Sequence, residues 1–359
     1  MDVLRPPVVW IGDRCYRKTV VEVTEGGDPE FEEENEYNDM DEGGWNDEVC
    51  DPFTKLEETD SGYRVSLSIP SPYFKFIIGK KGEMKNRLEK ETKTQIKIPK
   101  QGQEGDIVIQ GHDKKGIFSA KTRIEVMVDS ARHKQPFTHF LSIPIVSEVV
   151  IGGFEDFKTD VLRECDGARG LDATIFQNPK KLHLTIGTLV LLSDREIHRA
   201  TSLLQQCLED LVEPILKDKK LRLDVQGLEY MNDDPNAVDV LYARLLGDQD
   251  LDRLQSLVDR MVDKFTSANL MQREYERVKL HITVMNTLMR KDPTGVSVAR
   301  GRQDGKPPKD RESFDAASII RKFGDYKFGT HHIDSVHISS RSAVGASGYY
   351  QSVAFIQLP

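Results

Sequence analysis

The sequence predicts an α+β chain with two folded domains behind an acidic N-terminal segment. Three observations predict it. From Glu22 to Asp51 there are fourteen Asp or Glu and no Lys or Arg. Between about 57 and 135, strand-like and helix-like patterns interchange around a Gly-Lys-Lys-Gly loop, Gly79–Gly82. Beyond 136, the phrase KLHLT (Lys181–Thr185) returns as KLHIT (Lys279–Thr283). The expected divisions are 1–56 for the N-terminal segment, 57–135 for the first domain and 136–359 for the second.

The acidic stretch explains the net charge of −9; the remainder of the 359 residues carries +5. It is poor in aliphatic residues and cannot bury enough surface to offset ordering, so it reads as a disordered tail. VVWIGDRCYR, just before it, reads either as the adhesive end of that tail or as a short linear motif that docks a protein. With 38% hydrophobic residues the chain can build at least one sizeable core, and its length suffices for two domains or one large one. No apolar run approaches the ~20 residues of a membrane helix, and no stretch of signal-peptide type opens the chain. A membrane is therefore not an expected partner. Cys15, Cys50, Cys165 and Cys207 lack CxxC or ligand spacing, which argues for a reducing compartment and against a disulfide framework or zinc. No metal and no cofactor is expected.

In the first domain YRVSLSIP alternates as a strand, and Ser-Pro opens a helix through FKFII. After the glycine loop come a helix (EMKNRLEKET), a strand (QIKIP), a turn, a strand (DIVIQG) and a helix from about Asp113 to Ala131. Gly79 and Gly82 let backbone approach a phosphate closely, the next helix turns its first N–H groups toward an anion, and Lys80 and Lys81 add charge. Between Tyr63 and Gln135 sixteen Lys or Arg face eight Asp or Glu.

In the second domain FTHFLSIPIV begins a new alternating region. SDREIHRATSLLQQCLEDLVEPIL and DQDLDRLQSLVDRMVDKFTSANL are its longest helical patterns, one in each half. Arg290–Ser313 reads as a mobile surface loop, and IDSVHISS with YYQSVAFIQL reads as a closing hairpin. In a strand, residues i, i+2 and i+4 share a face. Lys181, His183 and Thr185 therefore share one, as do Lys279, His281 and Thr283, while Leu182, Leu184, Ile186, Leu280, Ile282 and Val284 turn to a core. Two such strands can face each other across a cleft with two imidazoles, two hydroxyls and two ammonium groups. That set suits a phosphodiester. One imidazole takes a proton, the other gives one to the leaving oxygen, the threonines bond non-bridging oxygens and the lysines draw in the polyanion. His337-Ile338-Ser339 is a third HxT-like triplet without the preceding lysine, and reads as structural.

The run IIGKKGEMKNRLEKETKTQIKIP, with its element order, resembles the KH family over roughly seventy residues. The resemblance implies a type I KH fold that clamps about four single-stranded nucleotides, with Gly79, Lys80, Lys81 and Gly82 on the backbone. Lys85 stands where KH helices usually carry an aliphatic residue; it is added to the nucleic-acid-binding set, and it favours backbone binding over base readout. A KH module that binds protein is the alternative. The paired HxT phrases resemble the two-histidine, RNA-ligase-like phosphoesterase superfamily from Phe137 to Pro359. This implies a bilobal domain in which His183 and His281 are the acid and base and Thr185 and Thr283 hold phosphate. Lys181 and Lys279 are added as substrate-binding residues from strand phase alone. With PFTHF, FQNPKKLHLTIG and EYMNDDP, the pairing of modules resembles a family of transcription-cointegrator subunits. That implies a nuclear protein working with a helicase subunit of a cointegrator complex, in coactivation and alkylation-damage repair, on single-stranded RNA ahead of DNA. A binder that grips a terminal phosphate without turnover, or a scaffold for the helicase, is the alternative.

Overall fold

The computed structural model describes residues 8–11, 14–17, 56–100, 103, 105–290 and 311–359. The expected acidic tail, Glu22–Asp51, and nearly all of the expected surface loop lie outside them. The chain divides into two compact units, 1–131 and 132–359.

In the first unit, β1 (Val8–Ile11) and β2 (Arg14–Arg17) pair antiparallel as a hairpin within the segment read from sequence as a tail end or linear motif. β3 (Glu57–Thr59) and β4 (Gly62–Leu67) follow, then α1 (Phe74–Ile78), α2 (Glu83–Thr92), β5 (Thr94–Lys97), β6 (Ile107–Gly111) and α3 (Lys114–His133). From β4 onward this is the β-α-α-β-β-α order expected. β3, three exposed residues with no apolar pattern to betray them, was not. The sheet runs β3-β4-β6-β5, all antiparallel. Alternation in β4, β5 and β6 sends Val65, Leu67, Ile96, Ile107 and Ile109 inward, against Ile77, Leu88, Ile117 and Ile124 of the helices. Helix α2 stops at Lys93, which takes the left-handed conformation (φ 51°) and donates its N–H to Glu89.

The second unit contains β7 (His139–Pro144), α4 (Glu148–Glu164), β8 (His183–Leu189), α5 (Asp194–Cys207) and α6 (Glu213–Leu216). It continues with β9 (Leu221–Tyr230), β10 (Val240–Leu246), α7 (Gln249–Ser267) and β11 (Ile282–Asn286). The last elements are α8 (Ala317–Phe323), β12 (Lys327–Ile333), β13 (Ser335–Val344) and β14 (Tyr350–Gln357), the last two being the expected hairpin. Ser193 caps α5 by accepting from the Glu196 N–H. A π turn, Leu208–Val212, joins α5 to α6, where Pro214 supplies no N–H to the ladder. Helix α7 buries Leu254, Leu257, Val258, Met261, Val262 and Phe265, one stripe at helical spacing. Helix α4 lies so close to β12 that a Cβ on Gly153 would stand 2.1 Å from the Phe328 carbonyl oxygen.

Eight strands form one sheet in the order β12-β9-β10-β11-β8-β7-β13-β14. Four belong to each half, and the halves meet at β11 and β8, the strands that carry the repeated phrase. The strands are thus joined neighbours in one sheet rather than two walls across a gap, because the hydrogen-bonding edge of each half finds its partner in the other.

Candidate active site and nucleic-acid loop

β8 and β11 pair antiparallel through Ile282 and Leu184. By that register His183 lies beside Thr283 and Thr185 beside His281. Residues opposite one another in a sheet share a face, so both imidazoles and both hydroxyls stand on one side. Behind them Leu182, Leu184, Ile186, Ile282 and Val284 are buried, and Leu280 is half-buried against the same core.

Each imidazole is oriented in the same way. His183 Nδ1 lies 2.7 Å from the Lys181 carbonyl oxygen and His281 Nδ1 lies 2.7 Å from that of Lys279. A carbonyl only accepts, so each Nδ1 carries the proton, and the neutral ring keeps its lone pair on Nε2. Among the described residues neither Nε2 has a hydrogen-bond partner. Burial pushes His183 down to about 4, helped by the nearby His281 and Lys181 charges and opposed by the carbonyl. Burial also lowers His281, with Lys279 adding to it.

An aromatic ring flanks each histidine. Tyr350 of β14 meets His183 edge to face at 5.5 Å, and Tyr242 of β10 meets His281 at 5.4 Å. The Lys181 ammonium lies 4.9 Å above Tyr350 and the Lys279 ammonium 4.6 Å above Tyr242. Phe140 adds a third ring, 5.3 Å from His183. The Tyr242 hydroxyl donates to Glu229 at 2.6 Å, and burial with that carboxylate raises the phenol's pKa. These aromatic partners escaped the sequence reading. Tyr350 is 165 positions beyond the first phrase and 67 beyond the second, and no spacing joins it to them.

The two lysines depart from the expected strand phase. Lys181 ends a short 3-10 turn, Pro179–Lys181, and is only 5% exposed. Lys279 precedes β11 and is exposed. The turn arises because Asn178 caps the Lys180 N–H and Pro179 presets the backbone. A groove opens beside Thr185, Lys279 and His281, walled by the loop from Gln272 to Val278 and floored by Ile186, Val262 and Met271. The third triplet lies in β13. His337 Nε2 meets Ser335 Oγ at 2.8 Å, and Ser339 Oγ, fully buried, meets Ser142 Oγ at 2.9 Å.

In the first unit Gly79 has φ 69° and ψ −176°, a region open essentially to glycine, and a Cβ there would stand 2.7 Å from Met84 Cβ. Gly82 is left-handed at φ 84°, with no atom within 4 Å of where its Cβ would be. Lys80 and Lys81 between them are exposed, and Lys81 itself is left-handed at φ 53°. Lys85 differs from both: its ammonium is 3.2 Å from Glu89 one turn on.

Comparison with known proteins agrees with both units. Residues 64–126 match the KH domain family, and residues 137–358 match the family described as AKAP7 2'5' RNA ligase-like domain. A mouse protein, activating signal cointegrator 1 complex subunit 1, is 46% identical over 362 residues, covering 99% of each chain. An uncharacterized protein of Schizosaccharomyces pombe is 25% identical over 186 residues, 51% of this chain and 80% of that one. Among solved structures, E. coli LigT in apo form is similar over 62% of this chain and 98% of its own, at 12% identity and a TM-score of 0.33. With its second unit matched almost from end to end and the KH match preceding it, the chain belongs to the AKAP7 2'5' RNA ligase-like domain family, as a KH-bearing relative of the mouse cointegrator subunit.

Proposed function

We propose that this chain is a nucleic-acid-binding phosphodiesterase subunit. Its GKKG loop holds single-stranded RNA, ahead of DNA, and its paired HxT strands act on a phosphodiester or terminal phosphate. The observation that carries the reading is the β8–β11 register, which groups His183, Thr185, His281 and Thr283 on one face. With both Nδ1 atoms held by carbonyls, each Nε2 is the working nitrogen. One Nε2 takes a proton from water or a ribose hydroxyl as it attacks phosphorus. The other, protonated, delivers its proton to the departing oxygen. The threonine hydroxyls donate to the non-bridging oxygens, where charge accumulates. By likeness to the mouse cointegrator subunit, we place the chain in a nuclear complex with a helicase subunit, in coactivation and alkylation-damage repair.

One observation favours a second reading, a binder without turnover. Burial lowers both imidazoles and so favours the neutral form of each, whereas an anion bound beside them favours the imidazolium. The test is incubation of the full chain with end-labelled and cyclic-phosphate oligonucleotides, with and without chelator. Turnover that survives chelator and is lost in both His183→Ala and His281→Ala is expected. Phosphate-dependent binding without turnover, lost in the same variants, selects the binder. Full activity in the double His variant overturns both.

A further inference from the structure

The HxT face does not end at His183. His337 sits opposite Ser142, Ser142 opposite Thr185, and Phe355 opposite His337. Phe355 on β14 therefore shares the face of the histidine pair, three strands away, about 14 Å at ~4.8 Å per strand. Aromatic rings span that distance without a break. Centroids step 5.5 Å from His183 to Tyr350, 5.4 Å to Tyr349, 6.1 Å to His337 and 5.4 Å to Phe355. Tyr349 is buried, its hydroxyl donating to Ser142 Oγ at 3.0 Å. The last pair is different. Phe355 is 58% exposed and lies stacked on His337, only 25° from parallel.

A Phe held flat by a partner ring and left bare to solvent forgoes the burial that would ordinarily fix it. From Ser335 to Gln357 the hairpin holds no Asp or Glu, and Arg341 is its one formal charge. Lys180 lies against Gly348 in the connecting loop. An open ring on an acid-free hairpin, with Lys180 at its connecting loop, suits a base and its polyanionic backbone.

We infer that Phe355, braced by His337, is a nucleobase platform, so that the HxT site takes an oligonucleotide strand rather than a mononucleotide. The inference rests on the proposed phosphodiester reading of the HxT pair. The span corresponds to at most about four nucleotides at a stacked spacing of ~3.4 Å.

The test uses the full chain carrying Lys80→Asp with Lys81→Asp, so that the KH loop does not dominate binding. Single-stranded hexanucleotides carry 2-aminopurine at one position at a time, counted from a 3′-terminal cyclic phosphate. Quenching at a position two to four nucleotides from that phosphate is expected, abolished by Phe355→Ala and restored by Phe355→Trp. Phe355→Ala should weaken hexanucleotide affinity about five- to a hundredfold, the range that one lost base stack produces. Affinity for a nucleoside cyclic phosphate should not change. Equal hexanucleotide affinity in wild type and Phe355→Ala, while His183→Ala abolishes it, overturns the platform and leaves the proposed function standing. It would assign the exposed edge to protein docking instead. Absence of phosphate-dependent binding in the wild type overturns both.

Discussion

At the scale of single residues, the histidine pair couples proton and anion binding. Burial holds both imidazoles below their usual range, and a phosphodiester placed beside them favours the charged form of one. Binding must then take up a proton, so affinity rises as pH falls. For a dinucleotide lacking the 2′-hydroxyl, whose own charge is constant in this range, calorimetry is expected to show affinity rising between pH 8 and pH 6. The limit is about tenfold per pH unit for one proton; a flat profile would refute the coupling. The two lysines separate here as well. Lys279 is exposed, so Lys279→Ala should raise KM more than it lowers kcat, and more so at low salt. Lys181 is buried with its ammonium on Tyr350. Lys181→Ala should therefore also cost about 1–2 kcal/mol of stability, read from denaturant midpoints. Equal stability in the two variants would contradict this distinction.

At the scale of elements, the GKKG loop contains two glycines with different duties. Gly79 lets the chain turn against Met84, and the space for a Cβ is already taken. Gly82 is left-handed but faces open space. Gly79→Ala should destabilise the KH unit by about 2–4 kcal/mol, whereas Gly82→Ala should cost about 1–2 kcal/mol. Gly82→Ala should nonetheless weaken single-strand binding, by placing a methyl group where the phosphate backbone approaches. Urea melts of both variants check the order, and a larger loss at Gly82 would reverse the assignment. Lys80→Asp with Lys81→Asp should abolish the KH unit's share of single-strand binding without unfolding, leaving that of the HxT site, and wild-type affinity should fall steeply with salt. Salt-insensitive binding would move the KH unit to protein recognition.

At the scale of the whole molecule, buried histidines make the second unit sensitive to acid. Burial lowers His139, His183, His281, His331 and His337. Each binds its proton in the unfolded chain at a pH where the folded chain still refuses it. Their stabilisation is therefore present above about pH 6.5 and lost as pH falls; for His183 the window runs down to about 4. The thermal midpoint should drop between pH 7.5 and pH 5.5. His331→Gln should shallow that drop, since among the described residues the buried His331 ring bonds a carbonyl alone, that of Pro144 at 3.1 Å. An unchanged midpoint across that range would be the contrary result.

Features of short range are legible in local pattern alone. Helix α2 occupies the run EMKNRLEKET, the GKKG loop sits between helices, and the apolar residues of both HxT phrases turn to the core. Each follows from backbone preference or from alternation within a few residues. Which strands became neighbours follows from how the chain closes on itself. The register of Leu184 with Ile282 gathers the four HxT side chains. The placement of β10 and β14 brings Tyr242 and Tyr350 to the histidines, and β13–β14 pairing lays Phe355 on His337. The turn that buries Lys181 beneath the expected strand phase belongs here too, because local capping by Asn178 overrode alternation. The physical reason is common to all of these. Alternation specifies which face a residue takes, but the partner across the hydrogen bonds is chosen by how two cores of distant segments close on one sheet.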